Sequence, residues 1–578
     1  MKKLLSLFLS LIVLLSATGS VAYATDLHSP EIVITKKQMQ ENAYSCIEAA
    51  LKQAKDTAYD GHPVSVILPS GKFELKKCLH IYSNTKLILQ EDTTLTKVFE
   101  DGNMLKCGKQ EEYNYGYDGY KNITVSGGVW NEDYCGDSCA MRFAHCENVR
   151  IENVTIKKNK NSHHMEIAAA KDFSVINCTF SGYKRTNGGD GTALQIDPIH
   201  DTSHFPSYYY YDDTPCVNVT VKGCTFDSVY SGVGSFSGVV GCYFSNINIT
   251  GNTFNNIKDK AISAYNYINS NISNNIINGA TIGIIFELFP FEKLSSRLKM
   301  PNSSKRSTDI IQDCNSKIKN NTVNVSRNIS RNTCAGIAVF GGTVSDSDAK
   351  SYGVKKGSYL VRNLLVSKNT VNVNSSKAQG MILNHLYTCR VSANSVNSFV
   401  SAEDGYNGIT LIHSADNVIK SNKVSGFSNS VTLLTKSKRN ILKSNELKNS
   451  LRYGITVNKN SSVTVTYNNI FEGNKLGRVH IRKKTYKPNP NTVQNLSKEN
   501  RVISWTPVKK CSGYKILRSS RKNSGYTEIA SVKGRKSSSF TDKAAKKGKR
   551  YYYRIAAYRE YKNSTVYGKR SEYIKIKY

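Results

Sequence analysis

Glu166 and Asp197 stand at outward-facing positions of two consecutive repeat units, residues 165–168 and 193–197, with Gln195 between them. If the units are stacked parallel strands, the carboxylates project from rungs about 4.8 Å apart, offset by one outward position of about 7 Å. Their Cα atoms then lie roughly 8 Å apart, which suits an inverting glycosidase with carboxyl groups about 6.5–9.5 Å apart. One group would protonate the leaving oxygen while the other activated water. Two carboxylates in one groove also push their pKa values apart, so one stays an acid while the other remains a base. Gln195 would hydrogen-bond a sugar hydroxyl without adding charge.

The outward set continues through Ser263, Tyr265, Glu287, Phe340 and Asn384. Later units offer only Thr410, Ile412, Thr432, Thr456 and Asn458, so ionisable groups concentrate early. Insertions agree, because residues 198–215 follow Asp197 and residues 288–314 follow Glu287, and inserted loops wall a groove. The first insertion holds His200, Asp201 and His204, then Tyr208-Tyr209-Tyr210-Tyr211-Asp212-Asp213. Tyrosines such as Tyr209 stack on sugar faces and keep a hydroxyl for hydrogen bonding. His164, Arg185, His200, Tyr265 and Glu287 complete the expected substrate contacts, with His164, Lys184 and Glu287 at the rim. A tyrosine run also packs over a solenoid flank, and His164 at a strand start also serves a core.

The elements that must position these residues come from a repeat. Ten times an aliphatic residue is followed three positions later by Asn or Cys and two further on by an apolar residue. The set runs from Val175/Cys178/Phe180 and Val221/Cys224/Phe226 through Ile249/Asn252/Phe254 to Val465/Asn468/Ile470. A period of about 23–28 residues means a solenoid with one coil per repeat. Period-two alternation inside each unit makes the coil a β-coil. The expected fold is an all-β parallel β-helix, with Asn252, Asn275, Asn369 and Asn394 stacked in one buried column to satisfy turn backbone.

Residues 41–55 place Ile47, Ala50, Leu51 and Ala54 on one helical face, a cap for the first coil. Pro69-Ser70-Gly71-Lys72-Phe73 and then Ser83-Asn84-Thr85-Lys86-Leu87-Ile88-Leu89 follow. Here the sequence resembles the pectate-lyase-like superfamily of right-handed β-helices, over residues 30 to about 480. The resemblance implies the handedness and leaves activity open, since lyases, hydrolases, epimerases and adhesins share the fold. A lyase of this kind takes Lys or Arg as base, here Lys184 or Arg185. It also uses Ca²⁺, with Asp190, Asp197 and Asp201 as oxygen ligands. The polygalacturonase pattern is absent apart from Asp212-Asp213.

Residues 1–24 read as a secretory leader: Lys2 and Lys3, an apolar stretch, then Ala22-Tyr23-Ala24. The helix domain is expected over 25–484, and 485–494 reads as a linker by composition. Residues 495–578, with Trp505 and Tyr551-Tyr552-Tyr553, resemble a fibronectin type III β-sandwich. The net charge is +35, and residues 475–578 hold 29 Lys/Arg against 5 Asp/Glu. That tail favours an anionic cell-wall polymer, and export removes nucleic acid from the partners. No span of the mature chain suits a membrane, and a monomer is expected, secreted or held at the surface. Several of the fourteen Cys sit in the repeat and are expected as free core thiols, while Cys135, Cys139 and Cys146 lack paired zinc spacing. Three readings follow: a polysaccharide hydrolase or lyase, a non-catalytic binder or adhesin, and a structural wall protein.

Overall fold

Each coil must turn through buried backbone, and asparagine side chains supply the partners. In the computed structural model, Asn252, Asn275, Asn321, Asn369, Asn394, Asn422 and Asn445 form one continuous column, each at most 1% exposed. From Asn252 to Asn445, each backbone N–H donates to the amide oxygen of the next coil's asparagine at 2.9–3.0 Å. Each side-chain N–H also reaches back to a carbonyl, as Asn275 does to Ile249 O at 2.9 Å. The column starts on sulfur: Cys178 N–H points at Cys224 Sγ at 3.4 Å, and Cys224 N–H donates to Asn252 Oδ1 at 2.9 Å.

The structure describes residues 30–578 apart from 110–111, 187, 189–190, 204, 207, 289–297, 303–309, 327–332, 352–353, 466–467, 482–490, 562–563 and 569. The expected leader and Asp190 lie outside the described residues. Among those described, one parallel sheet of 14 strands runs in strict chain order from Lys72–Leu75 to Ile470–Glu472. The other rungs form a 29-stranded parallel system, and together they make a right-handed parallel β-helix. Inside it, Phe180, Phe226 and Phe254 stack at 4.9 and 4.7 Å between centroids. Helix Lys36–Thr57 covers the first coil with Met39, Ala43, Ile47, Ala50, Leu51 and Ala54, and Thr35 with Gln38 closes its start as a capping box.

Two features depart from the expected repeat. The last rung uses Asn469, not Asn468: Asn445 donates to Asn469 Oδ1, and Phe471 is in register with Leu447. Ile470, taken as the inward residue, is 52% exposed. A second column, not anticipated, runs Cys389, Asn417, Asn440 with bonds of 2.9 and 3.1 Å. None of the fourteen cysteines is in a disulfide. Cys135, Cys139 and Cys146 have separate surroundings: Cys135 Sγ points to Phe99 O, Cys139 lies beside Asn103, and Cys146 is in the core.

Residues Lys483–Tyr578 form a second compact unit. It holds an antiparallel three-stranded sheet and a five-stranded sheet around buried Trp505, Tyr514 and Tyr553. Val493 belongs to this core, so the unit begins inside the stretch read as linker. The rest of that stretch, through residue 490, lies outside the described residues.

Asn275→Ala is expected to cost about 1–3 kcal/mol for each buried backbone group left unpaired. A solenoid opens locally, so the check is hydrogen exchange, which should accelerate over the coils holding Asn252 and Asn321 before the rest.

Candidate functional site

The strand pairing puts Glu166 opposite Gln195, and Ala168 opposite Asp197. Glu166, Gln195 and Asp197 therefore share one outward face in the expected offset. The same pairing adds a residue the sequence reading passed over: Arg142 is opposite Glu166 on the preceding coil. Arg142 Nε and Nη2 donate to Glu166 Oε2 at 2.9 and 2.7 Å. Gln195 Nε2 donates to Asp197 Oδ2 at 2.8 Å, and the Phe236 N–H reaches Asp197 Oδ1 at 3.3 Å. Gln195 Oε1 has no partner among the described residues.

This cluster is sealed. Glu166, Gln195 and Asp197 are 1–3% exposed. The loop after Asp197 was expected to wall a groove. Instead it lies flat on the coils and buries Ile199, Phe205 and Tyr208 against Ala144, Ala168 and Ala169. Alanines on the outward face leave an apolar floor, and the loop's apolar side chains cover it. Arg142 is held beneath, its Nη1 donating to Pro206 O at 2.9 Å and its guanidinium 5.2 Å from the Phe205 ring centre.

Burial raises the Asp197 pKa, the Glu166 charge adds to the rise, and the Gln195 N–H opposes it. A raised carboxyl pKa contributes stability below the unfolded value and loses it as pH rises through the folded value. Asp197 thus weakens the fold at neutral pH. Asp197→Asn is expected to melt at or above the wild-type temperature at pH 7, with the difference shrinking toward about pH 4. Thermal scans across pH check the trend, and a difference that grows on acidification would contradict it.

Other expected contacts lie elsewhere. Lys184 is at the end of strand Thr179–Lys184 in the 14-stranded sheet, exposed, with its ammonium 6.0 Å from the Tyr134 ring centre. It is not on the Glu166 face. Arg185 sits on Tyr230, 5.1 Å from its ring centre. His164 is a core residue, its Nε2 at 3.1 Å from both Ser181 O and Gly182 O, and burial lowers its pKa to about 4. Tyr265 and Glu287 are paired two and three coils beyond Asp197 on the same face, and Tyr265 is buried.

His200 braces the loop. Its Nδ1 meets Asp213 Oδ1 at 2.5 Å, while Asp213 Oδ2 accepts from Asn302 N–H at 2.5 Å. Asp201 accepts from Ser203 Oγ at 2.6 Å. Of the expected Ca²⁺ ligands, Asp197 lies under two N–H donors and Asp201 accepts from its own loop, while Asp190 lies outside the described residues. Among the described residues no group of three or more His, Cys, Asp or Glu is placed to hold a metal ion.

What the loop does present is aromatic. Tyr208 and Tyr211 turn inward, while Tyr209 and Tyr210 are 54% and 46% exposed. A second loop brings Tyr113 and Tyr115, 67% and 60% exposed, against them. Tyr113 lies 4.1 Å from Tyr209 and Tyr115 lies 5.7 Å from Tyr210, between ring centroids. The loops are fastened together by Gly116 N–H to Asp212 Oδ2 at 2.7 Å and by Tyr117 OH to Pro215 O at 2.8 Å. The His145 ring touches Gly116 O and Tyr210 O between them. Four tyrosines thus form one exposed patch on a fixed base. The sequence signal was Tyr113-Asn114-Tyr115-Gly116-Tyr117, a second tyrosine-rich stretch about a hundred residues before the first.

Residues 346–495 match the family described as periplasmic copper-binding protein (NosD). The chain is 25% identical over 447 residues to plasmin and fibronectin-binding protein A of Streptococcus pneumoniae (strain ATCC BAA-255 / R6). That match spans 68% of this chain and 58% of the relative, so the chain covers less than two thirds of that protein's length. Among solved structures, it is similar to PfbA, a surface adhesin of Streptococcus pneumoniae, at 17% identity and a TM-score of 0.47. The likeness covers 79% of this chain and 93% of that one. It is also similar to the catalytic unit of a GH87 α-1,3-glucanase from Streptomyces thermodiastaticus strain HF3-3, at 10% identity and a TM-score of 0.41. There 75% of this chain and 66% of that one are covered.

Proposed function

We propose that this protein is an exported, non-catalytic binder that holds a polysaccharide on the tyrosine patch of its early coils. The observation that carries the reading is a contrast on the early coils: the carboxylates are sealed, Glu166 in an ion pair and Asp197 under two N–H donors, while four tyrosines are fixed and exposed. Aromatic faces with hydroxyl edges suit sugar rings, and a prebuilt patch loses little entropy on binding. A relative named for binding plasmin and fibronectin is in keeping with a binder. The basic second unit, read as a fibronectin type III-like module, would hold the chain on an anionic wall polymer. No helix among the described residues is long and apolar enough to cross a membrane.

A second reading, an inverting hydrolase, is favoured by the shared face of Glu166 and Asp197, the raised Asp197 pKa and the unpartnered Gln195 Oε1. It requires the 198–215 loop to lift. A lyase is less well served, because Lys184 belongs to the other sheet and Arg185 is held against Tyr230.

The test is a panel of acidic and neutral polysaccharides incubated with the full chain, read for binding, reducing ends and unsaturated uronates. Binding without product is expected. Binding to anionic wall polymer should fall steeply with added salt, since exposed charges are screened within about 8 Å at physiological ionic strength. Salt-independent binding would assign that contact to a specific pocket instead.

A further inference from the structure

The outward face of the late coils looks chemically plain in sequence, yet it holds a cavity of about 240 Å³. Its floor holds Thr432 and Thr456, which continue a column from Thr410, paired rung to rung. Thr410 Oγ1 donates to Gln379 Oε1 at 2.9 Å, and Thr456 Oγ1 donates to Asn429 Oδ1 at 2.9 Å. Thr432, between them and 4% exposed, has no hydrogen-bond partner for its Oγ1 among the described residues. A buried hydroxyl without a partner costs stability, so its place on the floor of a cavity points to a ligand that supplies the partner.

The walls say what kind of ligand. On one side Arg452 Nη1 meets Asp404 Oδ2 at 2.5 Å, setting guanidinium donors beside carboxylate acceptors. Arg452 holds the Asp404 carboxyl below its ordinary range, so it remains an acceptor. Donor and acceptor side by side match neighbouring hydroxyls of a sugar ring. On another side Tyr453 and His480 stack at 4.6 Å with their planes 17° apart, an aromatic wall for a ring face. The Asn429 side chain is already fixed, donating to Asn407 Oδ1 at 2.9 Å. Arg452 and Asp404 neutralise one another, so the pair offers no net positive charge to hold a uronate. The volume is below the about 300–1,000 Å³ of drug-sized pockets, enough for a single ring.

We infer that this cleft is a carbohydrate site for one neutral glycosyl residue. It does not rest on the tyrosine patch: the Thr432 rung lies seven rungs beyond the Asp197 coil, about 34 Å along the solenoid. The experiment is calorimetric titration of the full chain with maltohexaose, cellohexaose, laminarihexaose and mannohexaose, with trigalacturonate as the acidic counterpart. At least one neutral oligosaccharide should bind below about 10 mM. Tyr453→Ala should weaken it about tenfold or more, and Thr432→Val about fivefold. Because the Thr432 hydroxyl has no protein partner, Thr432→Val should melt at or above the wild-type temperature, which separates lost binding from lost folding. Titration in the Tyr113→Ala/Tyr209→Ala background removes the patch's own contribution, and the cleft substitutions should act there as they do in the wild type. No neutral binding, affinity insensitive to both cleft substitutions, or tighter binding of trigalacturonate would each overturn the assignment.

Discussion

Arg142→Met is expected to destabilise the early coils by about 3–5 kcal/mol, because it leaves the Glu166 carboxylate buried without its cation. The ion pair is nearly dry, with side-chain exposures of 8% and 2%, and both guanidinium contacts fall on one oxygen. The substitution also removes the bond to Pro206 O and the contact with Phe205, so the covering loop loses one of its anchors. Arg142→Met/Glu166→Met removes both charges and should recover most of the loss, since apolar replacements of a buried pair are often neutral. Chemical denaturation of the single and double variants checks this. If the single variant is as stable as wild type, Glu166 is not the structural residue described above.

Replacing Tyr113, Tyr115, Tyr209 and Tyr210 together by alanine is expected to lower polysaccharide affinity about a hundredfold or more, equivalent to about 2.8 kcal/mol. Exposed aromatic anchors on fixed loops are the class of residue that dominates binding. The fold should be unaffected, because the anchoring bonds come from Gly116, Tyr117 and His145 rather than from these rings. Tyr209→Phe should lose far less than Tyr209→Ala, since the ring face remains. Unchanged melting with lost binding is the signature. Equal loss in Tyr209→Phe and Tyr209→Ala would place recognition in the hydroxyl instead.

Much of the solenoid was legible because its physics repeats. One asparagine per coil, always three residues after an aliphatic one, reports a buried turn that needs an amide, and the column formed as read from Asn252 to Asn445. The reading slipped at Asn468, where the next residue is also asparagine and only the inward Phe471 settles the phase. The second column, through Cys389, Asn417 and Asn440, has fewer members and left no period to see.

The site was half legible for a related reason. Spacing placed Glu166, Gln195 and Asp197 on one face, because strand register follows from the repeat. It could not say whether the loop after Asp197 would stand up as a wall or lie down as a cover. The small Ala144, Ala168 and Ala169 beneath it decide that, and their meaning appears only when they are adjacent in space. Arg142 was within reach: Met141-Arg142-Phe143-Ala144 is one repeat before Met165-Glu166-Ile167-Ala168. Lys184, Arg185 and His164 were grouped with the carboxylates by proximity in sequence, whereas the coil turns them onto other sides.

The central claim is that this face binds without cutting. Its most direct test uses wild type, the carboxylate variant Asp197→Asn and the four-tyrosine variant on the same polysaccharide panel, with binding and product measured in each sample. The account predicts that wild type and the carboxylate variant bind alike and release no reducing ends or unsaturated uronates, while the tyrosine variant loses binding. Product released by wild type and abolished in the carboxylate variant would contradict it and establish the hydrolase.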